Sequence, residues 1–310
     1  MLALLIASAW EPRQLPALLG ETARADGPIR VVTTSTDLEA LVEAVGGDHV
    51  RVVSLAPPIH EPHQVEVKPR QLAELRAATL LVRIGLDHEP WLARVVETAN
   101  DPRFAAGGPG DLDVSRGIAL LQTETPRVRG ERGGHVHGFG NTHYWLDPEN
   151  ARPITAAILR ALVGLDPADA GVFEKNRARF LADLDARLAR WTRAMAPYRG
   201  TRVVVVHETW PYFAERFGLV VVAALEPTPG VPPAASSLAS LLQRMKDTKV
   251  RLLLAGPESD QAMIDQVATR SGARAVVLIA SVGGDPAARD YLSLFDVNIA
   301  RLTEALAASR

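Results

Sequence analysis

Cysteine is absent from all 310 residues. That excludes disulfide staples, thiolate metal sites and a thiol nucleophile, and it leaves no residue for a lipid-modified N-terminal cysteine. An excess of one charge sign is also missing. The 34 basic and 36 acidic residues give a net charge of −2, so a polyanion-binding surface is not expected, nor nucleic acid as a partner. Beyond the first residues, no stretch approaches the roughly 18 uninterrupted apolar residues of a membrane-spanning helix. No internal repeat is evident. With 47% hydrophobic residues the composition is that of an ordinary folded protein, and the length suits two lobes better than one core.

The N-terminal stretch reads differently. Residues 2–10 form an apolar run too short for a bilayer. Ala23-Arg24-Ala25 then has the small-x-small pattern of a signal-peptidase site, with Asp26 opening the mature chain. Residues 1–25 are therefore expected to be a signal peptide, although no positive charge precedes the apolar run and Glu11 and Arg13 interrupt it. The expected product is soluble and periplasmic, and not a lipoprotein.

Downstream, strand and helix patterns alternate. A β-branched run at 29–33 leads to a helical pattern through Leu38, Leu41, Val42 and Val45, stopped by Gly46-Gly47. Strands at 50–55 and 80–84 and helices at 70–77 and 91–99 follow. This spacing predicts βαβ units and a parallel sheet. Residues 106–142, with glycine, charge and His135-Val136-His137-Gly138, read as a mobile loop. After a helix at 148–163, a longer one at 168–196 carries Phe173, Phe180, Leu184, Leu188 and Trp191 on one stripe. At about 1.5 Å per residue it approaches ~40 Å, enough to cross from lobe to lobe. A second set follows, with strands at 202–206, 220–224, 250–255 and 275–279 and helices at 212–217, 237–246, 260–271 and 291–307.

The predicted fold is α/β: two βα lobes with mostly parallel sheets, residues 26–167 and 198–310, joined by one long rigid helix, 168–197. Each lobe is expected to have its own core. Past its first turn the helix has no proline or glycine, so ligand binding is expected to cause a small lobe adjustment and to order residues 106–142 and the turn at 281–285.

Three histidines stand in distinctive frames: His63 in Glu61-Pro62-His63, His143 in His143-Tyr144-Trp145-Leu146-Asp147-Pro148, and His207 after Val203-Val204-Val205-Val206. Imidazole is a favoured ligand for zinc and its neighbours, and three imidazoles leave a fourth position. Ligand sites in open α/β sheets gather at strand ends, where His207 stands. Together with Glu66-Val67-Lys68-Pro69, Glu89-Pro90-Trp91-Leu92, His207-Glu208-Thr209-Trp210-Pro211-Tyr212-Phe213 and residues 291–302, these motifs resemble, over roughly residues 28–308, the zinc/manganese-binding receptors of bacterial metal ABC transporters.

The resemblance implies a monomeric two-lobed receptor that holds one Zn2+ at the lobe interface and hands it to a membrane permease, with a metallochaperone as a further partner. His63, His143 and His207 fall on the family's first three ligand positions. The fourth is usually an aspartate in a Leu-Asp-Pro turn after the last strand, and here Leu278-Ile279-Ala280-Ser281-Val282-Gly283-Gly284-Asp285 lacks it. Asp285 is the tentative fourth ligand, with water and Glu61 as alternatives. His135 and His137 occupy the place of the family's histidine-rich insert, and read equally as a weak second ion site and as a solvated loop. His60 is expected to be an exposed turn residue, His88 and His49 ordinary surface residues. Trp91, Trp145 and Trp210 are expected to pack beside the ion, and Asp147 to cap the helix that follows it.

Three neutral imidazoles favour zinc over manganese, which prefers more oxygen, and a manganese or iron receptor is the alternative within the family. A zinc-dependent hydrolase is the competing class, since three histidines plus water also describe catalytic zinc. No His-Glu-x-x-His helix or comparable metal–base pair is present, so an enzyme is not expected.

Overall fold

The structure is a computed structural model and describes residues 27–58, 65–123, 140–226 and 233–308. The segment read as a signal peptide, together with His60, Glu61, His63, His135 and His137, lies outside the described residues.

The first lobe runs β1 (Ile29–Thr33), α1 (Thr36–Gly46), β2 (Val50–Ser54), α2 (Pro69–Ala77), β3 (Leu80–Arg83), α3 (Leu92–Ala99) and β4 (Asp111–Asp113), followed later by α4 (Ala151–Leu165). Local chemistry sets these boundaries. Ser35 caps α1 by accepting the Leu38 amide, and Leu38, Leu41, Val42 and Val45 form its buried face. At its end a Cβ on Gly46 would lie 2.3 Å from the Val50 side chain, so only glycine lets the chain turn this closely into β2.

The long helix α5 spans Ala170–Met195, and the second lobe continues as β5 (Arg202–Val205), α6 (Pro211–Phe217), β6 (Val220–Ala224), α7 (Ala235–Asp247), β7 (Leu252–Ala255), α8 (Gln261–Ser271), β8 (Arg274–Val277) and α9 (Tyr291–Ala307). Both sheets are wholly parallel and share one wiring, β2-β1-β3-β4 and β6-β5-β7-β8. All strand C-termini of a sheet therefore point the same way, where ligand sites form. Among the described residues no helix is long and apolar enough to cross a membrane.

Two expectations need correction. Residues 106–142 are not a loop throughout: Asp111–Asp113 pairs with β3 as an edge strand, and the Arg83 guanidinium binds Asp111 at 2.6 Å and Asp113 at 3.0 Å. Nor are the main cores separate. One apolar cluster runs from Ile29, Leu41 and Ile154 through Phe173, Phe180, Leu184 and Trp191 of α5 to Phe213, Phe295 and Leu302, while smaller clusters fill the outer side of each sheet. The crossing helix is as expected: α5 packs on α1 and α4 of one lobe and on α6 and α9 of the other.

Candidate metal site

His143 stands at the start of a 3-10 turn, Tyr144–Leu146, that is pinned from both lobes. The Tyr144 hydroxyl donates to the Ile84 carbonyl at 2.6 Å, Trp145 Nε1 donates to the Ala280 carbonyl at 3.0 Å, and the Tyr291 hydroxyl donates to the Trp145 carbonyl at 2.5 Å. Asn141 fixes the histidine itself. Its Oδ1 accepts the His143 amide at 2.9 Å and lies 3.2 Å from His143 Nδ1. A proton held on Nδ1 by that contact puts the ring's lone pair on Nε2, the tautomer a metal ligand needs. Asn141 is held in turn by donating to the Glu208 carbonyl at 2.7 Å, while the Tyr212 hydroxyl donates to the Asn141 carbonyl.

His207 lies two residues past the end of β5. Backbone pairing continues beyond the strands there, with Val206 donating to Leu254 and Glu226 donating to Val206. That extension brings Glu226, 9% exposed, beside the histidine: Nε2 stands 3.5 Å from Glu226 Oε2. On the other edge of the ring, Nδ1 is buried and has no hydrogen-bond partner among the described residues. An imidazole with a carboxylate at one nitrogen and an orphaned second nitrogen matches the carboxylate–histidine–metal arrangement. A buried nitrogen left without any partner would cost stability.

His143 and His207 line one cavity of about 50 Å³ between the lobes, with Trp145, Trp210, Glu258, Ala280 and Ser281. At ~10–15 Å³ per water-sized body, it has room for an ion and a few waters and none for an organic solute. Among the described residues no three His, Asp or Glu side chains gather closely enough to hold an ion unaided, so this set needs a further donor. Pro58, five residues before His63 in the sequence, lines the cavity.

Asp285, tentatively assigned as the fourth ligand from the sequence, does not line the cavity. Its carboxylate pairs with Arg301 at 2.5 Å and accepts the Ala287 amide at 2.7 Å. The neighbouring Gly283 and Gly284 leave just enough space for Pro58 of the other lobe, which a Cβ on Gly283 would meet at 3.2 Å. Trp145 and Trp210 border the cavity as expected, whereas Trp91 faces a separate groove between α2 and α3. Asp147 caps the 3-10 turn leading into α4 and also forms a two-pronged ion pair with Arg216 of α6, at 2.6 and 2.7 Å.

Two histidines read as ordinary surface residues are held by specific partners. His88 is fully buried behind His143, edge-on to its ring at 5.3 Å and to Trp145 at 5.0 Å, with Nδ1 2.8 Å from the Thr142 hydroxyl. His49 pairs with Asp169 at 2.6 Å and sits edge-on to Phe173. The loop that carries His88 is strained: Leu86 and Asp87 adopt left-handed φ values of 58° and 56°. Glu89 holds it by accepting Thr34 Oγ1 at 2.6 Å and the Ile84 and Gly85 amides. Burial pushes the Glu89 carboxyl up to about 7 against these hydrogen bonds. Asp37, at the start of α1, is also fully buried and accepts the Val282 amide at 3.0 Å, and burial pushes its carboxyl up to about 7. Asn141, His88 and Asp37 carried no motif signal. The polar run Gly140-Asn141-Thr142 ahead of His143 was the one available hint.

Two parallel α/β lobes closed over an ion-sized cavity lined by an imidazole from each define a binding protein of the metal-receptor type. The chain belongs to the ZnuA family, the periplasmic component A of the zinc-uptake complex, whose model matches residues 31–305. It is 26% identical over 286 residues to the zinc-binding lipoprotein AdcA of Streptococcus pneumoniae, covering 91% of this chain and 56% of AdcA. It thus spans little more than half the length of that relative. It is 27% identical over 261 residues to the high-affinity zinc uptake system protein ZnuA of Paracoccus denitrificans, covering 73% of this chain and 76% of that one. The crystal structure of a ZnuA deletion mutant with zinc bound superimposes with a TM-score of 0.74 at 25% identity, over 90% of this chain and 98% of the other.

Proposed function

We propose that this chain is a soluble periplasmic receptor that binds one Zn2+ between its lobes and delivers it to the membrane permease of an ABC transporter. The observation that carries the reading is the pair His143 and His207, presented by opposite lobes to one ion-sized cavity. His63, five residues after the cavity-lining Pro58 in the sequence, is the third donor in this reading. Nitrogen-rich ligation favours zinc over manganese, and the two relatives described above are named for zinc. Imidazole binds metal only when neutral, so binding releases any proton these rings carry.

The interlobe ties argue for a small motion on loading. Trp145 to Ala280, Tyr291 to Trp145, Arg216 to Asp147 and Asp37 to Val282 all bridge the two halves around the cavity. Breaking all of these for a wide hinge opening would expose buried polar groups. Entry and release then fall to the turns that border the cavity. The receptor acts as a monomer, and a metallochaperone is a further partner.

Metal analysis of the purified protein with competitive titration of zinc, manganese and iron tests the reading. One tightly bound zinc per chain, lost in His143→Ala and His207→Ala, is the expected result. Retention of zinc by both variants overturns it. A second, weaker ion would assign a role to His135 and His137.

A further inference from the structure

We infer that Glu258 supplies the carboxylate that completes the ion site, replacing the donor missing after β8. The inference rests on the zinc-site reading at His143 and His207. Glu258 lines the same cavity as both histidines. It reaches there from the end of β7, the neighbour of β5 and therefore of His207 on the side away from Glu226.

Three features of the surrounding chain support this. First, Gly256 makes room. A Cβ built on it would lie 2.0 Å from Glu258 Oε1, so the carboxylate occupies the space that any other residue at 256 would fill. The position is kept by a tight turn in which the Gly256 amide donates to the Ser259 hydroxyl and the Ser259 amide donates to the Gly256 carbonyl. Second, the end of β8 offers no charged donor to the cavity. Ala280 and Ser281 line it, and Asp285 is committed to Arg301. Third, the other carboxylates nearby are engaged. Asp37 accepts the Val282 amide, Glu89 accepts the Thr34 hydroxyl and two amides of its own loop, and Glu226 faces His207.

Glu258 is solvent-exposed, so its carboxylate keeps its hydration until an ion arrives and then exchanges water for metal. An anionic donor offsets half the charge of a divalent cation, which neutral imidazoles cannot do. That makes closing the small cavity over the ion less costly. Because no three donors are already gathered, Glu258 has to swing inward on loading, and as the most exposed donor it is the first to leave on release.

The test uses the full chain and zinc as the probe, with a competing chromophoric chelator, and cobalt(II) absorption reports coordination. Glu258→Gln and Gly256→Ala are both expected to weaken zinc binding, by at least the ~10–100-fold that even an outer partner of a metal ligand commands. Gly256→Ala acts by displacing the carboxylate with a methyl group. Both should alter the cobalt spectrum, while apo melting temperatures stay near the parent's. Asp285→Asn should bind like the parent. If Glu258→Gln binds zinc like the parent while His207→Ala loses it, Glu258 is not a ligand and the histidine site stands. If His143→Ala and His207→Ala also bind like the parent, the site reading itself fails, and this inference with it.

Discussion

The two sheets have the same strand order and direction, yet the carboxylates at their C-terminal edges are used differently. In the first lobe, Glu89 and Asp37 are sunk completely: Glu89 accepts the Thr34 hydroxyl and the Ile84 and Gly85 amides, and Asp37 accepts the Val282 amide of the other lobe. Burial raises both to about 7, so they hold protons over much of the acidic range. In the second lobe, Glu226 faces an imidazole and Glu258 faces the cavity and solvent. The same topology thus produces one edge whose acids are buried as structural ties and another whose acids face an imidazole and the cavity.

The largest expected effect that would break this comparison lies on the histidines. His207→Ala or His143→Ala should lower zinc affinity by about a hundredfold or more, beyond the ~10–100-fold range of outer partners, as read by chelator competition. An unchanged affinity would leave the second edge with no ligand role. Next come the groups that act through the histidines. Glu226→Gln and Asn141→Ala should each weaken zinc by roughly 10–100-fold, and the loss in Asn141→Ala should be partly restored by Asn141→Asp, which keeps an acceptor at His143 Nδ1.

The first edge should show its character in stability. Asp37 and Glu89 have folded-state pKa values raised to about 7 from 3.8 and 4.5. The folded protein therefore binds more protons than the unfolded chain between those limits, and stability should fall as pH climbs from about 4 to about 7, then level off. Chemical denaturation of the apo protein across that range measures the slope, and Asp37→Asn should reduce it, leaving the Glu89 contribution. A slope that rises with pH would contradict the assignment. The smallest effect is expected at Asp285→Asn. It loses a partly exposed pair with Arg301 worth about 0–1 kcal/mol, and zinc binding should be untouched.

Much of this was legible in the sequence, because the fold is built from strongly patterned segments. The β-branched runs at 29–33 and 220–224 and the helix at 291–307 fall where their spacing indicates. The strand Asp111–Asp113 escaped because two of its three residues are acidic, and the distant Arg83 pairs with both of them. His143 and His207 could be singled out because each sits in a local frame, a tryptophan turn and a valine run. His88 could not. Its burial depends on a left-handed turn and on packing against residues 54 and more positions away. The pairing of Asp285 was hidden for a similar reason, since its partner Arg301 lies on a helix that comes after it.

The unbroken helix α5 has one further consequence. Its apolar stripe belongs to a core that continues into both halves without interruption, so neither half closes its own interior. Cutting the gene near residue 198 should therefore give no soluble fragment, and calorimetry of the whole chain should record a single cooperative transition, not two. A lineage that exchanged one half for a foreign one would have to redesign the helix as well, which ties the evolution of the two halves to each other.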